Sequence, residues 1–193
     1  RRFEAEAGTA VMAVASTPST PEGFVDQTEG KFKKSAASHL MSILFGERTG
    51  RPDALTATSI LARRVSQWKG THDKMLAQIF KYLKGTLDYT LQGALHVDDR
   101  DTIELHMWPD ADLGADLTTT KSTSGLWLEL STPDGARTWP IGWQCAKQTS
   151  TACATADSES KTLIDAMDDG KDRGQFNSGV DKGCFKNVRG MQA

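Results

Sequence analysis

Hydrophobic spacing divides the chain near residue 95. The sharpest period lies in "THDKMLAQIFKYLKG" (71–85), where Met75, Leu76, Ile79, Phe80 and Leu83 fall on one face of a helix. Thr71 is placed to cap its start and Gly85 its end, with Lys74, Lys81 and Lys84 left on the outer side. Upstream, "AASHLMSILFGE" (36–47) predicts a short helix. "RPDALTATSILARRVSQW" (51–68) predicts another, with Pro52 in its first turn and Leu55, Leu61, Val65 and Trp68 as a rough apolar stripe. Beyond residue 95 the period falls to two. Ile103, Leu105 and Met107 alternate with polar or amphipathic partners, as do Leu126, Leu128 and Leu130, and then Ile141, Trp143 and Cys145. Turn-forming residues separate these runs, so they predict an antiparallel meander of three strands. "TADSESKTLIDAM" (155–167) then returns to helical spacing, with Thr155 as cap, Asp157 and Glu159 in the first turn, and Leu163, Ile164 and Met167 as the buried stripe.

Helices first, strands second and a closing helix give an α+β fold class. Residues 1–35, with "ASTPSTPEG" at 15–23, read as a linker or disordered lead-in. A helical segment spans 36–94 and an α+β segment 95–193, whose period is lost after about 168. An apolar content of 38% and a charged content of 25% suit a globular protein. No apolar run approaches the roughly 18 residues of a membrane helix. "AVMAVA" (10–15) is too short for a signal core, and Cys145, Cys153 and Cys184 lack metal-ligand spacing. The expectation is an intracellular protein with reduced thiols, not a secreted one. Arg1 in place of Met suggests a piece of something longer.

The net charge of −2 hides an asymmetry. Residues 31–84 carry eleven Lys/Arg against three Asp/Glu, while 95–193 carry ten against sixteen. A basic half suits polyanion contact and an acidic half suits cations. Lys74, Lys81 and Lys84, with Arg63 and Arg64, are the candidates for sequence-independent contact with a phosphate backbone. The five tryptophans, Trp68, Trp108, Trp127, Trp139 and Trp143, read as core residues.

The acidic candidates centre on "MWPDADLGADL" (107–117), with Asp110, Asp112 and Asp116. Hydrolysis of a phosphodiester by two metal ions needs carboxylates converging from separate rigid elements. Asp110 stands at the end of the first predicted strand, and Glu159 in the first turn of the helix after the third. Spacing alone makes this pair a weak signal, because acids at strand ends and helix starts are common.

Local wording adds to it. "TGRPDAL" (49–55), "HDKMLAQIFKYLKGT" (72–86), "PDADLGAD" (109–116), "KSTSG" (121–125) and "PIGWQCAKQTSTACATADSE" (140–159) succeed one another in register. This order resembles the reverse-transcriptase C-terminal segment and ribonuclease H domain of copia-type retrotransposon Pol polyproteins. The resemblance covers roughly residues 36–165. It implies a helical segment followed by a partial ribonuclease H-like domain, hydrolysis of RNA in RNA–DNA hybrids, and Mg²⁺ held by Asp110 and Glu159. Asp112 would face solvent, and Asp157 would serve the helix dipole. "HVDDRD" (96–101) falls where the family has a linker, and His72 matches a structural position.

The sequence departs from the family at Pro109, at Ser160 and Lys161, and in its tail. Pro109 removes a donor from a strand expected to be interior. The family requires further acids beyond the helix. Residues 168–193 offer only Asp181, preceded by a poor strand, and Asp165 cannot share a site with Glu159 on one helix. The expected carboxylate set is therefore incomplete, and little or no nuclease activity is expected. The alternative is a catalytically dead domain that binds nucleic acid or scaffolds a larger polyprotein.

Overall fold

A computed structural model describes residues 2–8, 13–20, 25–112, 121–149 and 161–162. The chain divides into two units, Arg1–Thr90 and Leu91–Ala193. The architecture is mixed helix and sheet, with a three-stranded antiparallel sheet, as the α+β expectation has it.

The first unit holds α1 (Arg2–Ala7), α2 (Ala36–Gly50), α3 (Leu55–Ala62) and α4 (Gly70–Gly85). Its core gathers Phe3, Phe32, Leu40, Ile43, Leu61, Trp68, Leu76 and Ile79, with Met75, Phe80 and Leu83 packed against it. The apolar stripe read from 71–85 is thus the inward face of α4. Its ends differ from expectation. The helix starts at Gly70, with Lys69 N–H donating to His72 Nδ1 at 2.9 Å. Thr71 turns its hydroxyl to Asp26, accepting from Asp26 N at 2.6 Å and donating to Asp26 O at 3.0 Å. Gly85 is the last helical residue, and a Cβ there would overlap the Val14 side chain.

Residues 51–68 do not form one helix. A 3-10 turn at Pro52–Ala54 leads into α3, and a second at Val65–Gln67 comes after it. Arg64 N donates to Leu61 O and Gln67 N to Arg64 O, tight i to i+3 bonds that end the α-helical spacing. Trp68 Nε1 fixes the exit by donating to Asp73 Oδ1 at 2.7 Å.

The stretch 1–35, expected to be a linker, contributes to this core. Phe3 is buried, stacked on Phe80 at 4.1 Å between ring centroids and tilted against Phe32 at 4.9 Å. Phe3 and Phe32 recover apolar burial for this stretch, and α1 is held where they dock.

In the second unit β1 (Glu104–Ala111), β2 (Thr123–Ser131) and β3 (Thr138–Lys147) lie in the order β1-β2-β3. The register pairs Met107 with Leu128 and Asp110 with Gly125. Leu105, Met107, Leu126, Leu128 and Leu130 thereby share one face, and Trp108, Trp127 and Trp143 the other. On that second face Trp127 stacks on Trp143 at 5.6 Å. Glu129 accepts Trp108 Nε1 at 3.1 Å on one oxygen and Trp127 Nε1 at 3.0 Å on the other. Pro109, expected to trouble an interior strand, lies on β1, an edge strand of the described sheet, where proline is tolerated. Pro140 sits beside the register shift between Leu128 and Glu129, another place a sheet admits it. Of the predicted helix at 155–167, Lys161 and Thr162 are described, and both are helical.

Candidate functional site

The acidic motif begins in β1. Asp110 is exposed on the penultimate residue of the strand, next to Gly125 of β2. No described residue makes a hydrogen bond or ion pair with its carboxylate. Asp112 is committed differently. Its Oδ1 accepts Thr123 N at 2.6 Å while its own N–H donates to Thr123 O at 3.1 Å, which closes the β1–β2 ladder. Asp112 is thus a structural acid that pins the strand ends.

The motif around residues 121–125 is also tied to the chain beyond β3. Gln148 N donates to Ser122 O at 2.9 Å, and Gln148 Nε2 donates to Ser124 Oγ at 3.0 Å. Thr162, from the closing helix, donates to Ser124 Oγ at 2.7 Å. These buried side chains form a polar seam on the face of β2 opposite Gly125. Glu159, the expected partner of Asp110, lies outside the described residues, as do Asp116, Asp157, Asp165 and Asp181. Among the described residues no group of three or more His, Cys, Asp or Glu could hold a metal ion. Asp110 fits one ligand position; a Mg²⁺ site needs several oxygens.

The basic candidates lie in the first unit. Lys74 and Lys84 are exposed on α4 and Lys81 is half-buried; Arg63 and Arg64 come directly after α3 and are half-buried. Lys84 Nζ pairs with Glu4 Oε1 at 2.8 Å. His72 is held below its ordinary pKa, by burial first and then by the charges of Arg64 and Lys69. A neutral imidazole suits its role as acceptor at the start of α4.

Sequence reading missed two networks. In the first, the Arg51 guanidinium forks onto Asp53, Nε to Oδ1 at 3.0 Å and Nη2 to Oδ2 at 2.8 Å. It also donates to Thr86 O at 2.9 Å and Thr86 Oγ1 at 2.6 Å. Tyr82 donates to Asp53 Oδ2 at 2.6 Å, and Thr86 Oγ1 donates to Tyr82 O at 2.8 Å. Partial burial would raise the Asp53 carboxyl, yet its bonds from Arg51 and Tyr82 hold it below its usual range. The signal in the sequence was the joint presence of "RPD" and "YLKGT"; the network physically links those two motifs.

In the second network Asp99, buried in the "HVDDRD" segment, binds Arg137 through both oxygens and accepts His96 N at 2.8 Å. The Arg137 bonds, helped by the His96 N–H, pull its carboxyl down to about 2. This aspartate anchors the chain ahead of β1 rather than serving a catalytic pair.

The fold and the site define an α+β chain with a basic helical unit and acidic residues at the end of a strand. Among curated proteins it is similar to secreted RxLR effector protein 161 of Plasmopara viticola, at 28% identity over 116 residues, covering 60% of this chain and 75% of that protein. No protein-family model matches the sequence, and no solved structure matches the fold. The similarity overturns the expectation of an intracellular protein that is not secreted, because this relative is described as secreted. That expectation rested on three cysteines and the lack of a signal core, and an odd number of thiols does not discriminate between compartments.

Proposed function

We propose that the chain corresponds to the reverse-transcriptase C-terminal segment and ribonuclease H-like domain of a copia-type retrotransposon Pol polyprotein. Its ancestral reaction is hydrolysis of the RNA strand of an RNA–DNA hybrid. One observation carries the reading: residues quoted for the separate motifs bond to one another. Arg51 and Asp53 meet Tyr82 and Thr86, Asp112 meets Thr123, and Gln148 meets Ser124. Motif residues that hold one another in place are what a shared ancestral fold requires.

In this reading Asp110 and Glu159 hold Mg²⁺, which when bound supplies a metal-activated hydroxide. Two carboxylates leave the charge clamp short, so little or no turnover is expected. A second reading, a catalytically dead domain that binds nucleic acid or scaffolds a polyprotein, is favoured by the exposed Lys74 and Lys84 on α4.

Both readings are tested with one RNA–DNA hybrid. Binding that weakens steeply with salt is expected. Mg²⁺-dependent cleavage of the RNA strand, where measurable, is expected to fall to background in Asp110→Asn and in Glu159→Gln. Cleavage that survives both substitutions sinks the assignment of the site.

A further inference from the structure

We propose that the described parts of the N-terminal segment, residues 2–8, 13–20 and 25–30, act as an acidic strap beside the lysine-bearing side of α4, and that a polyanion displaces it. The inference rests on the nucleic-acid reading above and adds its regulation.

Its described residues meet α4 in reverse order. Val14 abuts Gly85, Gln78 Nε2 donates to Thr17 O at 3.0 Å, and Asp26 holds Thr71. Positions 71, 78 and 85 are seven apart and form a single stripe on the helix. Lys74 and Lys81 occupy the intervening positions of that same stripe. The described contacts of the strap therefore flank the positions that a phosphate backbone would approach.

Its charge is complementary. Residues 1–30 contain Glu4, Glu6, Glu22, Asp26 and Glu29 against Arg1 and Arg2. Glu4 pairs with Lys84. The Asp26 carboxyl is held below its usual range by its bonds from Thr28 and, in addition, by the charge of Lys74. Carboxylates thus stand at both ends of the lysine row, where a polyanion would put phosphates.

The strap enters the core at its ends, while its middle meets α4 through Val14 and the Gln78–Thr17 bond. Phe3 is sunk in the core, and at the other end Gly70 N donates to Thr28 O at 2.9 Å. Between them residues 13–20 are largely exposed. Few buried apolar contacts mean a low cost of local opening. The ends hold the strap near α4 while its middle exchanges with a ligand.

The test compares the full chain with the double variant Glu4→Gln/Asp26→Asn, using fluorescence anisotropy with a short RNA–DNA hybrid. The variant is expected to bind at least about tenfold more tightly at low salt. Equal affinity overturns the strap and leaves the nucleic-acid reading standing. Binding by neither protein overturns both. Hydrogen exchange on the unmodified chain removes any dependence on how the variant folds. Amides of residues 13–20 are expected to exchange faster with the hybrid present; unchanged or slower exchange overturns the proposal.

Discussion

Replacing Glu47 with Gln is expected to stabilise the helical unit by about 3 kcal/mol at about pH 8 and to flatten its stability between pH 4.5 and about 7. Glu47 is 1% exposed on α2, and Thr58 of α3 donates to its Oε1 at 2.5 Å. Burial pushes its carboxyl from 4.5 up to about 7, against the Thr58 bond, which favours the charged form. Below pH 4.5 the folded and unfolded chains both carry the proton, and Glu47 imposes no pH dependence. As pH rises through the window the unfolded chain ionises first, so stability drains away until the folded carboxyl ionises near 7. A glutamine keeps the acceptor for Thr58 and has no charge to bury. Urea unfolding followed by far-ultraviolet circular dichroism at several pH values checks this. A wild-type curve that is level across the window would show that Glu47 is not held as a neutral acid.

Arg51→Ala is expected to destabilise the first unit by about 2–3 kcal/mol. The guanidinium satisfies Asp53, Thr86 O and Thr86 Oγ1 together, and it lies over the rings of Tyr82 and Tyr89 at 5.7 and 5.9 Å. Its loss leaves Asp53 with a partly buried charge and takes one of two donors from Thr86 O, which keeps the Tyr89 N–H at 3.1 Å. Arg51→Lys keeps the charge and loses the fork, so it is expected to recover only part of the stability. Amide exchange of residues 82–86 reads the effect locally. Protection equal to wild type in Arg51→Ala would remove the network from the account of how α4 ends.

Much of the helix and strand order was legible, and the reason is the same in each part. The inward face of α4 and the three strands are defined by residues a few positions apart, and short-range spacing is what a single sequence displays. What escaped is set at long range. Phe3 reaches its stacking partner Phe80 across most of the unit, and nothing near Phe3 marks it as core. Arg51 meets Thr86 35 residues away. Thr71 has the chemistry of a cap, yet Asp26, 45 residues earlier, takes its hydroxyl. At the candidate site the alternation of β1 was enough to place Asp110 at a strand end. Asp112, in the same short motif, proved to hold the ladder because Thr123 stands opposite it, a pairing that only the register reveals.

The distribution of tryptophans gives the two units separate optical signatures. Trp68 is the sole indole of the first unit, 2% exposed and bonded to Asp73. The second unit carries four, with Trp127 and Trp143 nearly parallel at 23°. A nearly parallel pair at contact distance couples its electronic transitions, so the sheet has a near-ultraviolet dichroism of its own. Emission from an apolar, shielded indole is blue-shifted, which marks the helical unit. One chain therefore carries two colours of report, and the loss of either unit is visible without a label.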